Sequence, residues 1–204
     1  MTTSSWLSLL AICMLGAISP GPSLVAVMKN TIQGSRLHGL VTSLSHALGI
    51  GIYAFLVAAG LAVVITESPW LYQLIKYVGS AYLAWIGYKA ISASSSLFSE
   101  NLHVNNSLSL RQAAIDGFLI SILNPKIAVF FLALFSQFVT AESTLVTKLL
   151  MASMTTLCDG IWYCIVASVA GHGKVLPALK KRATLINRLC GALLILVALR
   201  IVFI

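Results

Sequence analysis

The chain has 204 residues, of which 59% are hydrophobic and 9% are charged, and its formal net charge is +8. A soluble domain carries roughly 25% charged residues. This composition and the mean hydropathy of +0.97 therefore exclude an ordinary soluble protein. The basic residues lie in short connectors between apolar runs, where lysine and arginine set membrane topology. We therefore predict that the chain lies in a lipid bilayer and that its positive charge does not serve nucleic-acid binding.

Six apolar segments cover most of the chain, and crossing a bilayer core takes about 20 apolar residues. In chain order they run approximately over residues 6–28, 37–65, 70–91, 113–139, 149–170 and 185–204. The first segment lacks the basic start of a signal peptide, so we expect it to be retained. The pattern predicts an all-α integral membrane protein with six transmembrane helices, forming a single membrane domain over residues 1–204.

Prolines interrupt two of these segments. The first contains Ser19-Pro20-Gly21-Pro22-Ser23 and the fourth contains Asn124-Pro125-Lys126. Proline removes a backbone donor and clashes with the preceding helical turn, so we predict that helices 1 and 4 are broken at these points. In lipid the freed backbone groups need partners from protein, ion or water. Such a pair of broken helices is typical of secondary transporters, whose binding sites lie at the breaks.

The two halves of the chain resemble each other. Residues 74–83 align with 185–194, residues 51–58 align with 160–167, and Pro22 aligns with Pro125. These matches predict a duplicated unit of three spans. The first repeat covers about residues 5–92, a polar linker about 93–110, and the second repeat about 111–204. An odd number of spans per unit inverts the second copy across the membrane.

Asp159 is an acidic residue near the middle of the fifth span. A charge at the bilayer centre costs about 2.5–3.5 kcal/mol on insertion scales, so this carboxylate should face a cavity or a partner. One hypothesis is that it binds a substrate amine or carries a proton. The alternative is a structural carboxylate that holds a neighbouring helix. The candidate substrate-binding residues are thus Ser19, Pro20, Gly21, Pro22, Ser23, Asn124, Pro125, Lys126 and Asp159.

Lys126 and His46 also lie deep in apolar segments. Lys126 is either a counter-ion of Asp159 or a contact for a substrate carboxylate, and both hypotheses place it close to Asp159. Histidine as a residue type can exchange protons near neutral pH, so His46 is a candidate for proton coupling together with Asp159. The alternative for His46 is a hydrogen-bonded packing role.

The positions of the cysteines and of several small residues indicate roles in helix packing. All four cysteines lie in apolar runs without metal-type spacing, so we predict no disulfide, metal site or cofactor. Gly79 and Gly87 form a stripe of small residues suited to close helix packing. The stripe is either scaffold within the chain or the face of a homodimer.

The unequal distribution of basic residues between the connectors predicts the orientation of the chain in the membrane. The cytoplasmic connectors would hold most lysines and arginines, among them Lys29, Arg36 and Arg111, while the external connectors hold Glu67 and Glu142. Both termini are then external, and the protein is a multi-pass protein of the cell inner (plasma) membrane.

Several of these motifs together resemble a known family. Ser19-Pro20-Gly21-Pro22 is similar to the S/T-P-G-P signature of the LysE/RhtB amino-acid exporters, which belong to the L-lysine exporter superfamily. Asn124-Pro125-Lys126 with the following phenylalanines resembles their N-P-K-x-x-x-F-F stretch, and Asp159 matches their fifth-span aspartate. Two positions depart from the pattern. Ser136 stands where the family usually has the proline of P-Q-F, and Ser45 replaces a glycine of the second span.

The resemblance implies a transport function rather than an enzymatic reaction. Members of this family export amino acids or related metabolites, and the expected driving force is the proton motive force. We therefore expect secondary-active, proton-coupled antiport of a small neutral or basic amino acid, or a derivative, with no catalytic residues. Alternatives are a divalent metal-ion exporter, which would need more deep carboxylates or histidines than Asp159 and His46, and an intramembrane hydrolase using serine, His46 and Asp159. A further alternative is a subunit of a membrane assembly that transports nothing. Such a subunit would have no obvious use for the two paired helix breaks.

Overall fold

A computed structural model describes the backbone of residues 1–19, 21–92, 108–170 and 175–203, with side chains for all of these except 175–183, 200, 201 and 203. This described part contains eight α-helices and no strand, which confirms the all-α prediction. In chain order the helices are α1 (Thr3–Ile18), α2 (Pro22–Gln33), α3 (Arg36–Glu67), α4 (Pro69–Ser92), α5 (Leu110–Ile122), α6 (Pro125–Phe135), α7 (Leu145–Ala170) and α8 (Val175–Phe203). Most of the predicted polar linker lies outside the described residues.

Two pairs of helices are bent at the predicted breaks. Helices α1 and α2 meet at 55°, on either side of residue 20, and helices α5 and α6 meet at 50°. Pro22 and Pro125 each begin the helix that follows the break. Proline suits this position because the first helical N–H has no intrahelical acceptor and its absence costs little. The prediction that both helices are broken is confirmed, although Pro20 itself lies outside the described residues.

Length and hydropathy identify fewer spans than the sequence pattern predicts. Among the described residues, α3 and α7 are each long and apolar enough to cross a membrane. Each bent pair passes the same test when its two helices are taken together, so the number of candidate spans is two to four. The predicted total of six remains a proposal.

Helices from the two predicted halves pack against each other in corresponding pairs. Helix α3 packs along α7, and α4 packs along α8. A Cβ on Gly87 of α4 would lie 2.6 Å from the carbonyl oxygen of Gly191 on α8. Similarly, a Cβ on Gly79 would lie 2.9 Å from the Cβ of Ala133 on α6. The stripe of small residues therefore serves close packing inside the chain, and the homodimer stays a prediction.

The two departures from the family pattern have simple local consequences. A side chain at Gly117 of α5 would collide with Ser45 of α3, so the neighbouring helix makes room for this serine. Ser136 caps the end of α6, where its hydroxyl donates to the carbonyl oxygen of Ala133 at 2.8 Å. The hydroxyl of Tyr72 donates to the carbonyl oxygen of Ser136. Helix α6 consequently ends at Phe135, before the predicted end of the fourth segment at residue 139.

Apolar side chains form both the interior and much of the outer surface. The largest buried cluster joins α1, α3, α6 and α7 and includes the fully buried Leu9, Leu134 and Phe135. Large hydrophobic residues are also exposed on the outer faces of the long helices, for example Leu44, Leu56, Leu157 and Ile161. A soluble monomer rarely exposes so much contiguous apolar surface. This distribution fits helices that are surrounded by lipid.

Candidate functional site

A cavity of about 70 Å³ lies where the two helix breaks meet. Pro125 lies instead on a neighbouring groove between α2 and α5, and Pro20 lies outside the described residues. The other candidate residues line the cavity, namely Ser19, Gly21, Pro22, Ser23, His46, Asn124, Lys126 and Asp159. The tertiary structure thus brings both breaks, the deep histidine and both deep charges to one place.

A hydrogen-bonded chain joins three helices at this cavity. Nδ1 of His46 on α3 lies 2.7 Å from Oδ2 of Asp159 on α7, and Nε2 of His46 lies 2.9 Å from Oγ of Ser23 on α2. His46 is 1% exposed and Asp159 is 7% exposed, so this chain is shielded from solvent. While Asp159 is ionised, its carboxylate only accepts hydrogen bonds, and Nδ1 of His46 is then the donor. Nε2 then accepts from the Ser23 hydroxyl when the ring is neutral and donates to it when the ring is protonated.

Lys126 has different partners from Asp159. Its Nζ donates to Oγ of Ser19 at 3.2 Å, and a Cβ placed on Gly21 would lie 3.4 Å from the same Nζ. The ammonium group therefore sits beside the first break. In the part of the chain that the structure describes, Asp159 is paired with His46 rather than with Lys126. Lys126 and Asp159 line the same cavity, as both hypotheses for Lys126 predict, but they are not directly paired.

The two helices that begin at the breaks are capped differently. Asn124 caps α6, since its Oδ1 accepts from the backbone N–H of Lys126 at 3.0 Å. Helix α2 begins after Gly21, which provides no side-chain cap. The first-turn N–H groups of a helix lack intrahelical acceptors and carry partial positive charge. At the start of α2, next to Lys126, the cavity wall therefore combines a full and a partial positive charge.

Aromatic residues complete the wall of the cavity, and sequence reasoning did not select them. Tyr163 on α7 is 3% exposed and packs edge-on against His46, with ring centroids 5.2 Å apart and an interplanar angle of 80°. Tyr163 follows Asp159 by four residues, and residues at this spacing lie on the same face of a helix. That spacing is the signal that would have identified it. Phe130 and Phe131 of α6 line the cavity as well.

A second polar cluster lies on the groove between α2 and α5. Nδ2 of Asn30, which is 2% exposed, donates to Oγ1 of Thr42 at 3.0 Å and to Oδ2 of Asp116 at 3.3 Å. Nε2 of Gln112 donates to the other oxygen of Asp116 at 2.7 Å. Sequence reasoning passed over Asp116, although a carboxylate inside an apolar segment is itself a signal of a buried partner. The groove shares Pro22 and Asn124 with the cavity.

Metal-ligating residues are dispersed in the described part of the chain. No group of three or more histidine, cysteine, aspartate or glutamate side chains there is arranged to hold a metal ion. The cysteines Cys13, Cys158, Cys164 and Cys190 are free thiols. Cys13, His46 and Asp159 are the described residues of these types that line the cavity, and His46 and Asp159 already bind each other.

Comparison with known proteins identifies the family. The family model described as LysE type translocator matches residues 14–203. The chain is 28% identical to an uncharacterized membrane protein, YrhP, of Bacillus subtilis, over 94% of this chain and 95% of that protein. It is 26% identical to a threonine efflux protein of Salmonella typhi, over 88% of both chains. It is 28% identical to a leucine efflux protein of Enterobacter, over 89% of this chain and 87% of that protein. Comparison with solved structures gave no significant match.

The hydrogen-bond order Ser23–His46–Asp159 is the same as in a serine hydrolase triad. The same order also suits proton transfer in a membrane carrier, because a histidine between a hydroxyl and a carboxylate passes a proton through its two nitrogens. The family decides between these alternatives, since its named members are efflux proteins. The chain is a multi-pass membrane protein and a transporter rather than an enzyme, and it belongs to the LysE type translocator family.

Proposed function

We propose that the protein exports small amino acids or close derivatives from the cytoplasm in exchange for protons. The observation that carries this proposal is the single cavity at the two helix breaks, with Lys126 and Asp159 both in its wall. An amino acid in its zwitterionic form needs one positive and one negative partner, since burying either charge unpaired is costly. The names of the threonine and leucine efflux relatives support the same substrate class.

The substrate carboxylate binds at the first break, where it meets both Lys126 and the start of α2. Gly21 leaves this helix start without a side-chain cap, so its first N–H groups are available to a ligand. Lys126, beside the same break, adds a charge-assisted hydrogen bond. Ser19 holds the ammonium group in place through its hydroxyl. Broken helices that present N–H groups to a carboxylate are a recurrent device of secondary transporters.

Asp159 and His46 carry the transported proton and face the substrate ammonium group. The carboxylate is bonded to His46 through Oδ2, which leaves Oδ1 as a second acceptor toward the cavity. A proton that enters from outside is taken up by this pair and weakens its attraction for the ammonium group. Each proton driven inward by the membrane potential supplies about 2.3 kcal/mol per 100 mV. That free energy supports export of the amino acid against its own concentration gradient.

The proposed architecture is two inverted repeats of three spans. The pairing of α3 with α7 and of α4 with α8 supports it, because each pair joins corresponding helices of the two halves. The bends of 55° and 50° at corresponding prolines support it too. Both termini face outward from the cell inner membrane, as the distribution of lysines and arginines indicates.

Efflux from proteoliposomes loaded with a panel of radiolabelled amino acids tests this function. We expect the wild-type protein to export at least one small amino acid faster under an opposing proton gradient. Asp159→Asn and Lys126→Ala should each abolish most of this efflux, whereas Lys148→Ala, outside the cavity, should not. Unchanged efflux in both cavity variants would refute the site. Export of divalent cations without any amino-acid export would favour the metal-ion alternative.

A further inference from the structure

The cavity wall is divided into a polar and an apolar part. The charged groups belong to the second helix break and to the His46–Asp159 pair, and hydrogen-bonding groups come from both breaks and from Thr155 and Tyr163 on α7. The remaining wall is largely apolar and includes Ile50, Leu83, Ile127, Phe130, Phe131 and Leu194. If the charged ends of an amino acid bind the polar part, as the proposed function requires, the substrate side chain is directed to the apolar part.

The apolar part disfavours a charged side chain. Among the described residues that line the cavity, Asp159 is the one carboxylate, and it is engaged by His46 and the substrate ammonium group. A second cation on the substrate would have no acceptor and would lie in the same cavity as Lys126. An unpaired buried charge is strongly unfavourable. The side chain that fits here is uncharged.

Phe130 limits the length of that side chain. Its ring projects from α6 onto Gly16 of α1, where a Cβ would lie 2.7 Å from Cζ of Phe130. Phe131 supports the ring from the side, with centroids 5.5 Å apart and an interplanar angle of 73°. Both Gly16 and Phe130 line the cavity. Glycine at position 16 therefore lets the ring lie directly on α1 and close the apolar part.

The volume of the cavity agrees with a short side chain. A cavity needs at least about 10–15 Å³ to hold one water, so a cavity of about 70 Å³ is small. The main-chain atoms of an amino acid take up most of that space. What remains suits a short side chain better than a long one.

We propose that Phe130, seated on Gly16, is a specificity-determining residue that restricts export to amino acids with short, uncharged side chains. This proposal rests on the proposed function and deepens it. Removal of the ring should enlarge the apolar part and admit branched or longer apolar side chains. A hydrophobic pocket typically discriminates about 10- to 200-fold for one methylene group.

The experiment measures competition in proteoliposomes. Efflux of radiolabelled threonine is followed with unlabelled alanine, serine, leucine, methionine or lysine as competitor. We expect Phe130→Ala to raise the apparent affinity for leucine and methionine relative to threonine at least about tenfold. Lysine should stay a poor competitor in both proteins. Phe55→Ala is the matched control, because Phe55 packs on the core but does not line the cavity.

A second substitution makes the test independent of folding defects. Gly16→Ala alone should impair transport, because the new methyl group meets the Phe130 ring. In the Phe130→Ala background the same methyl group has room, and it should restore part of the preference for threonine. If Phe130→Ala transports threonine with an unchanged competition profile, or if Gly16→Ala has the same effect in both backgrounds, the proposal fails. If the wild type transports no amino acid of the panel, the proposed function fails instead.

Discussion

Nδ1 of His46 lies 2.7 Å from Oδ2 of Asp159, and the two residues are separated by 113 positions in the sequence. The pair joins α3 to α7 in the interior, next to the cavity at the helix breaks. A buried carboxylate and a buried imidazole in direct contact share protons, so the state of one depends on the state of the other. The functional consequences of this pair and of its surroundings are testable one residue at a time.

Asp159→Asn should uncouple efflux from the proton gradient. Asparagine still accepts a hydrogen bond from Nδ1 of His46, but it cannot take up a proton. We expect a pH gradient to accelerate efflux in the wild type and to have no effect on the slow residual efflux of the variant, measured in proteoliposomes with the gradient imposed or collapsed. Asp116→Asn is the matched control, since Asp116 lies on the groove and does not line the cavity. Equal stimulation of wild type and Asp159→Asn would contradict proton coupling through this residue.

Lys126→Met should weaken recognition of the substrate carboxylate. A hydrogen bond to a charged group contributes about 1.5–3 kcal/mol, so KM should rise roughly tenfold to a hundredfold. The α-amide of the same amino acid lacks the carboxylate, and its apparent affinity should change little. Lys148→Met, on the same substrates, controls for loss of a positive charge elsewhere. A similar loss of affinity for the acid and the amide would show that Lys126 does not bind the carboxylate.

Asp116→Ala should destabilise the contact between α2 and α5. The substitution removes an acceptor of the buried Asn30 amide. An unsatisfied buried polar group costs about 1–3 kcal/mol, which should appear as a lower unfolding temperature in detergent. Gln112→Ala removes another partner of the same carboxylate from an exposed position and should cost less. Since Asn30 and Asp116 interact, the effects of Asn30→Ala and Asp116→Ala should not add. Strict additivity would contradict a direct interaction.

Gly87→Ala should separate α4 from α8. The new Cβ would lie 2.6 Å from the carbonyl oxygen of Gly191, a backbone atom that cannot move aside cheaply. Overpacking of this kind costs about 1–3 kcal/mol, again measured as thermal stability in detergent. Gly60→Ala is the control, because a Cβ on Gly60 has no neighbour within 4 Å. There the substitution should be neutral or slightly stabilising, since alanine favours a helix over glycine. Equal stability of both variants would contradict the packing described.

Much of the site was predictable because its determinants are local. Proline breaks a helix through its own ring and its missing N–H, whatever the surrounding fold, so Pro22 and Pro125 locate the bends. Asp159 and Lys126 stand out because a charge in an apolar segment needs a partner. The same argument applies to Asp116, whose role was overlooked. Tyr163 also carries a local signal, its four-residue spacing from Asp159.

The partners of these residues were not predictable. Lys126 and Asp159 form the obvious pair by charge, yet Lys126 donates to Ser19 and Asp159 binds His46. Which oxygen meets which nitrogen depends on the rotation and height of several helices at once. Apolar helix faces constrain the rotation and the height of a helix only loosely, because many similar side chains pack about equally well. Close contacts restrict the rotation and height of the helices more strictly, for example those of Gly87 with α8 and of Gly16 with Phe130.

By itself, the sequence determined that this is a helical membrane protein with two interrupted helices, two deep charges and a deep histidine. These properties follow from hydropathy and from the backbone chemistry of proline, which act within one segment. Only the tertiary structure decided that Ser23, His46 and Asp159 form one hydrogen-bonded chain and that Lys126 lies apart from it, beside the uncapped start of α2. Such contacts join residues far apart in the chain, and their geometry exists only once α2, α3, α6 and α7 have packed.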